Sequence, residues 1–516
     1  MGMEQGRSPV SRAGRLGAAF VVGIVVMAGG LAGSAYAAPG ADDRDRGGGQ
    51  RDVIANLFEW NWPSVADECV HVLGPAGYGG VQVAPPQDSL RRTAPPEGTP
   101  VLHPWWEVYQ PVDYNLTSRM GTEAQFRSMV STCRAAGVKV YADVVINHMT
   151  GQGSVSYGGV HYEHFSYPGV YNSADFHHAP ADCPTAGGID DFNNYLQVTK
   201  CELLGLADLR TESDHVRATL ASYLNKLIDY GVSGFRVDAA KHVGQPDLAA
   251  IQARLHHTLD GTRPFVALEV FPGGPGKLSP QAFTPVGTML GFDFAYQVHD
   301  AFKSYPTDAT GNITGLAVFG EAAGLLPSDK SLVFVENHDT ERGNQTLSYK
   351  DGATNILATE FMLARGYGTP QVYASFTFTG NDDSPPADAN GFITNTVCGA
   401  AWTCLDRATG VANMVGWHNV AGDAALANWW DDGVNLIAFS RGSRGWIALN
   451  NHATAQTHTF TTGLRPGTYC DVIHGTARNG ACSGPTVTVD SHHTATVTVP
   501  GKDAVAIDVA SLVRAH

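Results

Sequence analysis

Seven polar side chains share one kind of position in this chain. Glu59, Gln82, Asn147, His148, Asp238, Glu269 and Asp339 each stand at or near the C-terminal end of a short apolar run. The runs are IANLFEW (54–60), GGVQVAPP (79–86), VYADVVINH (140–148), SGFRVDAAKH (233–242), PFVALEVF (264–271) and SLVFVENHD (331–339). Continuous Val/Ile/Leu/Phe runs bounded by turn residues suit strands buried on both faces, as in a parallel sheet. Two further runs, TMLGFDFA (288–295) and GTPQVYASF (368–376), bring the count to the eight that a closed barrel needs. A β/α barrel keeps its active site at the C-terminal ends of its strands, so the pattern reads as an enzyme with a carboxylate-rich mouth.

Helical patterns lie between the runs, as crossovers in a parallel sheet require. Glu123 to Ala136 sets Phe126, Met129, Val130 and Cys133 on one face and ends at Gly137. Ser213 or Asp214 can cap a helix that carries Val216, Leu220, Leu224, Leu227 and Ile228 inward and stops at Gly231. The crossover after His148 is far longer and runs to about Lys200, rich in Gly, Tyr, His, Asp and Asn. A stretch of that length is expected to form a small irregular subdomain. After about Gly442 the texture changes to short Thr/Val-rich alternations, GWIALNN, HTFTTGL, GTYCDVI, PTVTVDS and TATVTVP, which predict an antiparallel β-sandwich. The expected organisation is an export signal (1–37), a flexible polar stretch (38–50), a barrel (51–148 and 201–442) interrupted by an insert (149–200), and a β-domain (443–516).

The export signal rests on Arg7, Arg12 and Arg15, an apolar stretch from Leu16 to Leu31, and Ala35-Tyr36-Ala37 as the cleavage pattern. The apolar stretch is short and rich in Gly and Ala, which favours a cleaved signal over a membrane anchor. A secreted, extracellular and monomeric protein is expected. The net charge of −16 argues against nucleic acid or an anionic membrane as partner. Eight cysteines in an exported chain imply disulfides, with about 105 pairings open to eight cysteines. Cys183 with Cys201, Cys398 with Cys404 and Cys470 with Cys482 are close neighbours, leaving Cys69 and Cys133. No C-x-x-C occurs, so zinc and thioredoxin-like redox chemistry lack support.

Asp238, Glu269 and Asp339 would meet at one barrel mouth. Their mutual repulsion would raise at least one pKa and keep a protonated acid available near neutrality. Two carboxyl groups across a glycosidic bond are the minimum for glycoside hydrolysis. Taken singly, each acid would more often cap a helix or bind a metal. Arg236 lies two residues before Asp238, on the same side of the strand, where its cation can hold Asp238 ionised. His148 and His338 can donate hydrogen bonds to sugar hydroxyls. Trp105, Trp106 and Tyr109, in HPWWEVYQP, offer flat faces to pyranose rings; alone, they would read as interior packing.

The motifs ADVVINH (142–148), GFRVDAAKH (234–242), ALEVF (267–271) and FVENHD (334–339) resemble, in order, the four signature regions of the α-amylase family of glycoside hydrolases. LFEWNW, LGPAGYGGVQVAPP, PWWEVYQP, YLNKLIDYGVSGFRVDAAKH, NWWDDGVNLIAFSRG and GTYCDVI look like the animal-type branch, typified by pancreatic enzymes and found in some actinobacteria. The resemblance runs from about residue 51 to the C-terminus. It implies a (β/α)8 barrel with a small B domain after strand three and a C-terminal β-sandwich. It implies Asp238 as nucleophile, Glu269 as general acid/base and Asp339 as transition-state stabiliser. Trp105, Trp106, Tyr109, Gln110, Asp143, His148, Arg236, Lys241, His242 and His338 would bind substrate, with Arg236 also orienting the nucleophile.

The same resemblance implies a structural calcium held by the Asn147 side chain, the Asp208 carboxylate and the backbone carbonyls of Thr199 and His242, oxygen donors that suit a hard cation. It implies the pairings Cys69–Cys133, Cys183–Cys201, Cys398–Cys404 and Cys470–Cys482. One position departs from the branch. The branch binds chloride through two arginines and an asparagine; Arg236 and Asn337 match, but Gln371 stands in place of the second arginine. Chloride activation is therefore not expected.

The reaction implied is endo-hydrolysis of α-1,4-glucosidic bonds with retention, on starch, amylose, amylopectin, glycogen and malto-oligosaccharides. The same chemistry could instead release maltose or maltotriose, or favour glucosyl transfer. A non-catalytic glucan-binding protein would be expected to lack one of the three acids, and all three are present.

Overall fold

The computed structural model describes residues 51–95, 100–304, 309–399 and 401–514. The expected signal (1–37) and polar stretch (38–50) lie outside the described residues. Eight strands form the barrel: β1 (Ile54–Leu57), β2 (Gly80–Val83), β3 (Lys139–Val145), β4 (Gly234–Asp238), β5 (Phe265–Leu268), β6 (Thr288–Leu290), β7 (Ser331–Phe334) and β8 (Thr369–Ala374). All pair in parallel with their sequence neighbours, and β1 closes the ring by pairing both β2 and β8, with Ile54 opposite Gly80 and Gln371. Gly234 allows β4 to approach β5 closely, because a Cβ there would stand 2.2 Å from Phe265 O. That approach fixes the register Arg236↔Ala267, two residues before the carboxylates at the mouth.

The helices follow the apolar periodicity. Helix α1 (Glu123–Ala135) starts at Thr122 in a capping box with Gln125 and buries Phe126, Met129, Val130 and Cys133. Such a cap contributes about 1 kcal/mol. Helix α2 (Asp214–Asp229) is capped by Ser213 Oγ, which accepts from Val216 N at 3.2 Å, and it buries the five apolar residues expected. The run 288–295 is only partly strand: it leaves β6 at Leu290, and helix α3 (Phe292–Phe302) begins two residues later. The stretch 149–200 is irregular as expected, with short bridges and a helix at Tyr195–Lys200, and its contacts continue to Leu209, which bridges Phe176.

The C-terminal unit begins earlier than the expected 442/443 boundary. Strands β9 (Leu426–Asp431) and β10 (Leu436–Arg441) join β11 (Gly445–Asn450) in an antiparallel sheet. Beyond them lie β12 (Gln456–Thr461), β13 (Gly467–Cys470), β14 (Thr486–Val489), β15 (Thr494–Val499) and β16 (Asp503–Asp508). The sheet runs β9-β10-β11-β16, and β12 pairs β15 while β13 pairs β14. Trp446, Phe460, Leu464, Tyr469, Val497 and Ile507 fill one core between these layers, which makes the unit a sandwich. The other face of the sheet packs on the barrel: Phe439 lies edge-on to Phe361 of helix α4 (Ala353–Arg365), and Trp417 of helix α5 (Thr409–Ala421) donates through Nε1 to Ile507 O at 2.9 Å.

The structure contains the disulfides Cys69–Cys133, Cys183–Cys201, Cys398–Cys404 and Cys470–Cys482. Among the described residues no helix is long and apolar enough to cross a membrane.

Candidate active site

One guanidinium organises the barrel mouth. Arg236, inside β4, is buried. Its Nη1 donates to Asp143 Oδ1 at 2.9 Å and to Asp238 Oδ1 at 2.6 Å, and its Nη2 donates to Glu269 Oε1. Strands β3, β4 and β5 are neighbours, so residues 143, 238 and 269 reach the same cation from adjacent strand ends. Beyond Asp238 the chain turns at Ala239, whose φ of 47° is left-handed, a conformation that costs a residue with a Cβ and clusters at functional sites. The turn aims Ala239 N at Glu269 Oε2, 2.9 Å away. Asp143 also accepts from Tyr109 Oη at 2.9 Å.

Three buried carboxyl groups share one cation, so burial dominates their titration. Desolvation raises Glu269 to about 8, against the pull of Arg236 and with help from Asp238 and Asp339. Desolvation likewise raises Asp238 to about 7 and Asp143 to about 6, again opposed by Arg236. Asp238 and Glu269 share the guanidinium and titrate as a pair, so burial keeps a proton on the pair near neutrality while Arg236 favours its ionised form. Arg236 favours ionised Asp238 as expected, but burial keeps the carboxyl well above the ordinary range.

The histidines are neutral by burial. Desolvation lowers His148 to about 4 and His338 to about 3. His338 is sandwiched between Phe58 (ring centroids 4.6 Å apart) and Tyr109 (5.2 Å), with Nε2 3.3 Å from Asp339 Oδ2. His148 Nε2 lies 3.1 Å from Tyr109 O, which can only accept, so Nε2 carries the proton and Nδ1 accepts from Asn147 Nδ2 at 3.3 Å. Both ring nitrogens of His148 are thus engaged inside the protein, unlike the free sugar donor expected.

Trp105 and Trp106 are half-exposed at the mouth, and Trp105 stands edge-on to both Tyr109 and His338. Gln110 is buried and accepts from Gly151 N at 3.0 Å, fastening the start of the insert. Lys241 is also buried, and its Nζ donates to Phe271 O and Gly273 O on the loop after β5. Arg342 is a member of the site that sequence reasoning missed. It donates to His338 O at 2.5 Å and lies 4.8 Å over Trp105 and 4.4 Å over Phe378. Nothing in HDTERGNQ separates this arginine from an ordinary exposed loop residue. At the departing position, Gln371 is buried and donates to Gln82 Oε1 at 2.9 Å. Asn337 Oδ1 accepts from Thr340 N and Asp339 N, capping the turn that carries Asp339.

Of the residues expected to hold calcium, Asn147 and Asp208 are neighbours where the barrel meets the insert. Asn147 Nδ2 is 3.4 Å from Asp208 Oδ1, and residues 148 and 208 form a bridge. His242 Nδ1 lies 2.9 Å from the carbonyl oxygen of Val198, the residue before Thr199. Asp208 is a buried carboxylate whose other oxygen accepts from His177 Nδ1 at 2.6 Å. One carboxylate, one amide and two carbonyls form an oxygen donor set that fits a hard cation. Among the described residues no group of three or more His, Cys, Asp or Glu converges as a metal site, which such a carbonyl-rich set does not require.

A closed parallel barrel with paired carboxyl groups and half-exposed indoles at its C-terminal mouth has the construction of a glycoside hydrolase. The comparisons name the family. Residues 107–264 match the model described as "Alpha amylase, catalytic domain", and residues 428–510 match "Alpha amylase, C-terminal all-beta domain". The chain is 45% identical over 471 residues to an alpha-amylase of Thermomonospora curvata, covering 89% of this chain and 74% of that one. It is 39% identical over 477 residues to the pancreatic alpha-amylase of Sus scrofa, covering 86% and 91%. Alpha-amylase I of Eisenia fetida superposes with a TM-score of 0.84 at 37% identity, covering 90% of this chain and 98% of that one. The chain belongs to the α-amylase family.

Proposed function

We propose that the protein is a secreted α-amylase that cleaves internal α-1,4-glucosidic bonds of starch and related glucans with retention of configuration. The observation that carries this reading is the guanidinium of Arg236 joined to both Asp238 and Glu269. That attachment suits the short carboxyl separation of retaining enzymes, about 5–5.5 Å, better than the wider gap that admits a water in inverting ones. Asp238 attacks the anomeric carbon. Glu269, still protonated near neutrality, gives its proton to the departing glycosidic oxygen. The glycosyl–Asp238 ester forms as that bond breaks. Glu269, now a carboxylate, then takes a proton from the water that opens the ester and regains its acid form. Asp339 faces the developing positive charge. Trp105, Trp106 and Tyr109 stack on sugar rings.

The partners are starch, amylose, amylopectin, glycogen and malto-oligosaccharides. A maltohexaose complex of Eisenia fetida alpha-amylase I, 37% identical to this chain, supports the oligosaccharide part of this assignment. The expected secretion is consistent with the four disulfides. Calcium held by Asn147, Thr199, Asp208 and His242 would clamp the insert to the barrel and contribute stability. Gln371 supplies no cation for chloride, so activity proceeds without that anion. Incubation with soluble starch, with chromatography of products over time, tests the function. Long oligosaccharides at early times support endo action, and their absence refutes it.

A further inference from the structure

Two loops carry the aromatic platform of the cleft, and a single buried arginine ties them together. Trp105 and Trp106 lie on the loop after β2. Their indole N–H groups donate to the loop after β8, Trp105 Nε1 to Asn381 O at 2.8 Å and Trp106 Nε1 to Asp382 Oδ1 at 3.1 Å. Both tryptophans open a short 3-10 helix, Trp105–Tyr109, while the loop 381–393 holds only the bridge Ala387–Ile393. Beneath them lies Arg119, fully buried. Its Nη1 donates to Pro104 O at 3.0 Å and its Nη2 to His103 O at 3.1 Å, both on the Trp loop. Its Nε donates to Gly391 O at 2.8 Å and its Nη2 to Ser384 Oγ, both on the other loop. Its own carbonyl accepts from Ile393 N at 2.9 Å. The remaining side of the guanidinium faces Glu59 at the end of β1, with Nη1 3.9 Å from Oε2.

The geometry points to Arg119 as a positioning residue for glucan binding: by cross-linking the loops 103–106 and 381–393 it sets the height and tilt of the Trp105/Trp106 platform. The proposal rests on the reading of the cleft as a glucan site. Only a planar fork with five N–H donors can serve both loops at once. A lysine keeps the charge beside Glu59 but presents its donors from one point and cannot span four acceptors on two loops. Arg119 touches neither the acids nor the scissile bond, so its loss acts on sugar binding and leaves the proton transfers intact.

The experiment compares wild type, Arg119→Lys and Asp382→Ala, which removes the acceptor of Trp106 Nε1 and leaves the hydrogen-bond acceptors of Arg119 in place. Steady-state kinetics on maltoheptaose, quenching of tryptophan fluorescence by the same oligosaccharide held at low temperature, and thermal melts are recorded for each. Arg119→Lys is expected to raise KM about tenfold, in the range that a small misplacement of binding groups produces, with kcat within about twofold. Asp382→Ala should move KM the same way by less. Fluorescence quenching should weaken in step with KM. If Arg119→Lys lowers kcat and melting temperature together while KM and quenching hold, the residue is structural and the proposal fails. If Arg119→Lys does not fold, Asp382→Ala decides, and an unchanged KM there overturns the platform's dependence on the second loop. A wild type inactive on maltoheptaose would instead sink the functional reading itself.

Discussion

Replacing Arg236 with glutamine removes the one cation shared by Asp143, Asp238 and Glu269 and leaves a shorter, neutral amide. The contacts to Asp143 and Asp238 span 2.6–3.1 Å. At an effective dielectric near 20, unit charges about 4 Å apart interact by about 4 kcal/mol. Losing the cation also lets the neighbouring acids take up protons and repel less, so the net loss at Asp238 is roughly 2–3 kcal/mol, or about two pKa units. The sign follows directly. Losing a cation makes ionisation harder, so Asp238, now at about 7, titrates at a higher pH. Two units leave roughly a hundredfold less of the ionised nucleophile at neutrality. The assay is kcat/KM against pH on a malto-oligosaccharide, which reports the free enzyme. Arg236→Gln should lose about 10²-fold near pH 7, and its acid limb should move up by about two units, with partial recovery in alkali. A loss under about tenfold with an unmoved acid limb would refute the reasoning, because it would mean that the guanidinium does not set the ionisation of Asp238.

The raised acids also bear on stability. Glu269 titrates near 4.5 when unfolded and at about 8 when folded, so its contribution is full below 4.5 and is lost as pH rises through 8. Glu269→Gln, which mimics the protonated acid, should therefore raise the melting temperature more at about pH 9 than at about pH 5 while abolishing turnover; an equal gain at both pH values counts against the raised pKa. Chelating calcium should lower the melting temperature, since an ion at 100 times its Kd adds about 2.7 kcal/mol, and no shift with metal loss confirmed argues against the Asn147/Asp208 seam. Chloride titration of a dialysed stock should leave kcat nearly flat, with nitrate as the second anion. Gln371→Arg should create chloride dependence, and a strong saturable rise in the wild type would show that the Gln371–Gln82 pair does not abolish the anion site.

The barrel was readable because β-branched runs buried on both faces leave a continuous apolar signal, and because each polar residue of the mouth ends one of them. Strand ends were harder. In TMLGFDFA the apolar run crosses from β6 into α3 without a break, since a short buried strand and the first turn of a buried helix present the same composition. The 442/443 boundary fell late for a related reason. LIAFSR is as apolar as a barrel strand, so the sequence carries no change of texture where β10 begins. The acids of the site were legible from position. Arg236 as the partner of Asp238 was legible too, but the contacts that hold the Trp loop were not, because Arg119 meets Gly391 across 272 residues and Trp105 meets Asn381 across 276. His148 illustrates the same limit: its carbonyl partner on Tyr109 comes from the loop after β2, 39 residues earlier.

Asp238 and Glu269 share one guanidinium, and the reaction proposed for this pair proceeds with retention. Proton NMR of the products formed in the first turnovers, before mutarotation, reads it directly. Early accumulation of the α-anomer at the new reducing end is the expected result, since two displacements at the same carbon restore its configuration. Early accumulation of the β-anomer would mean a single displacement by water, and would contradict the assignment of Asp238 as the nucleophile.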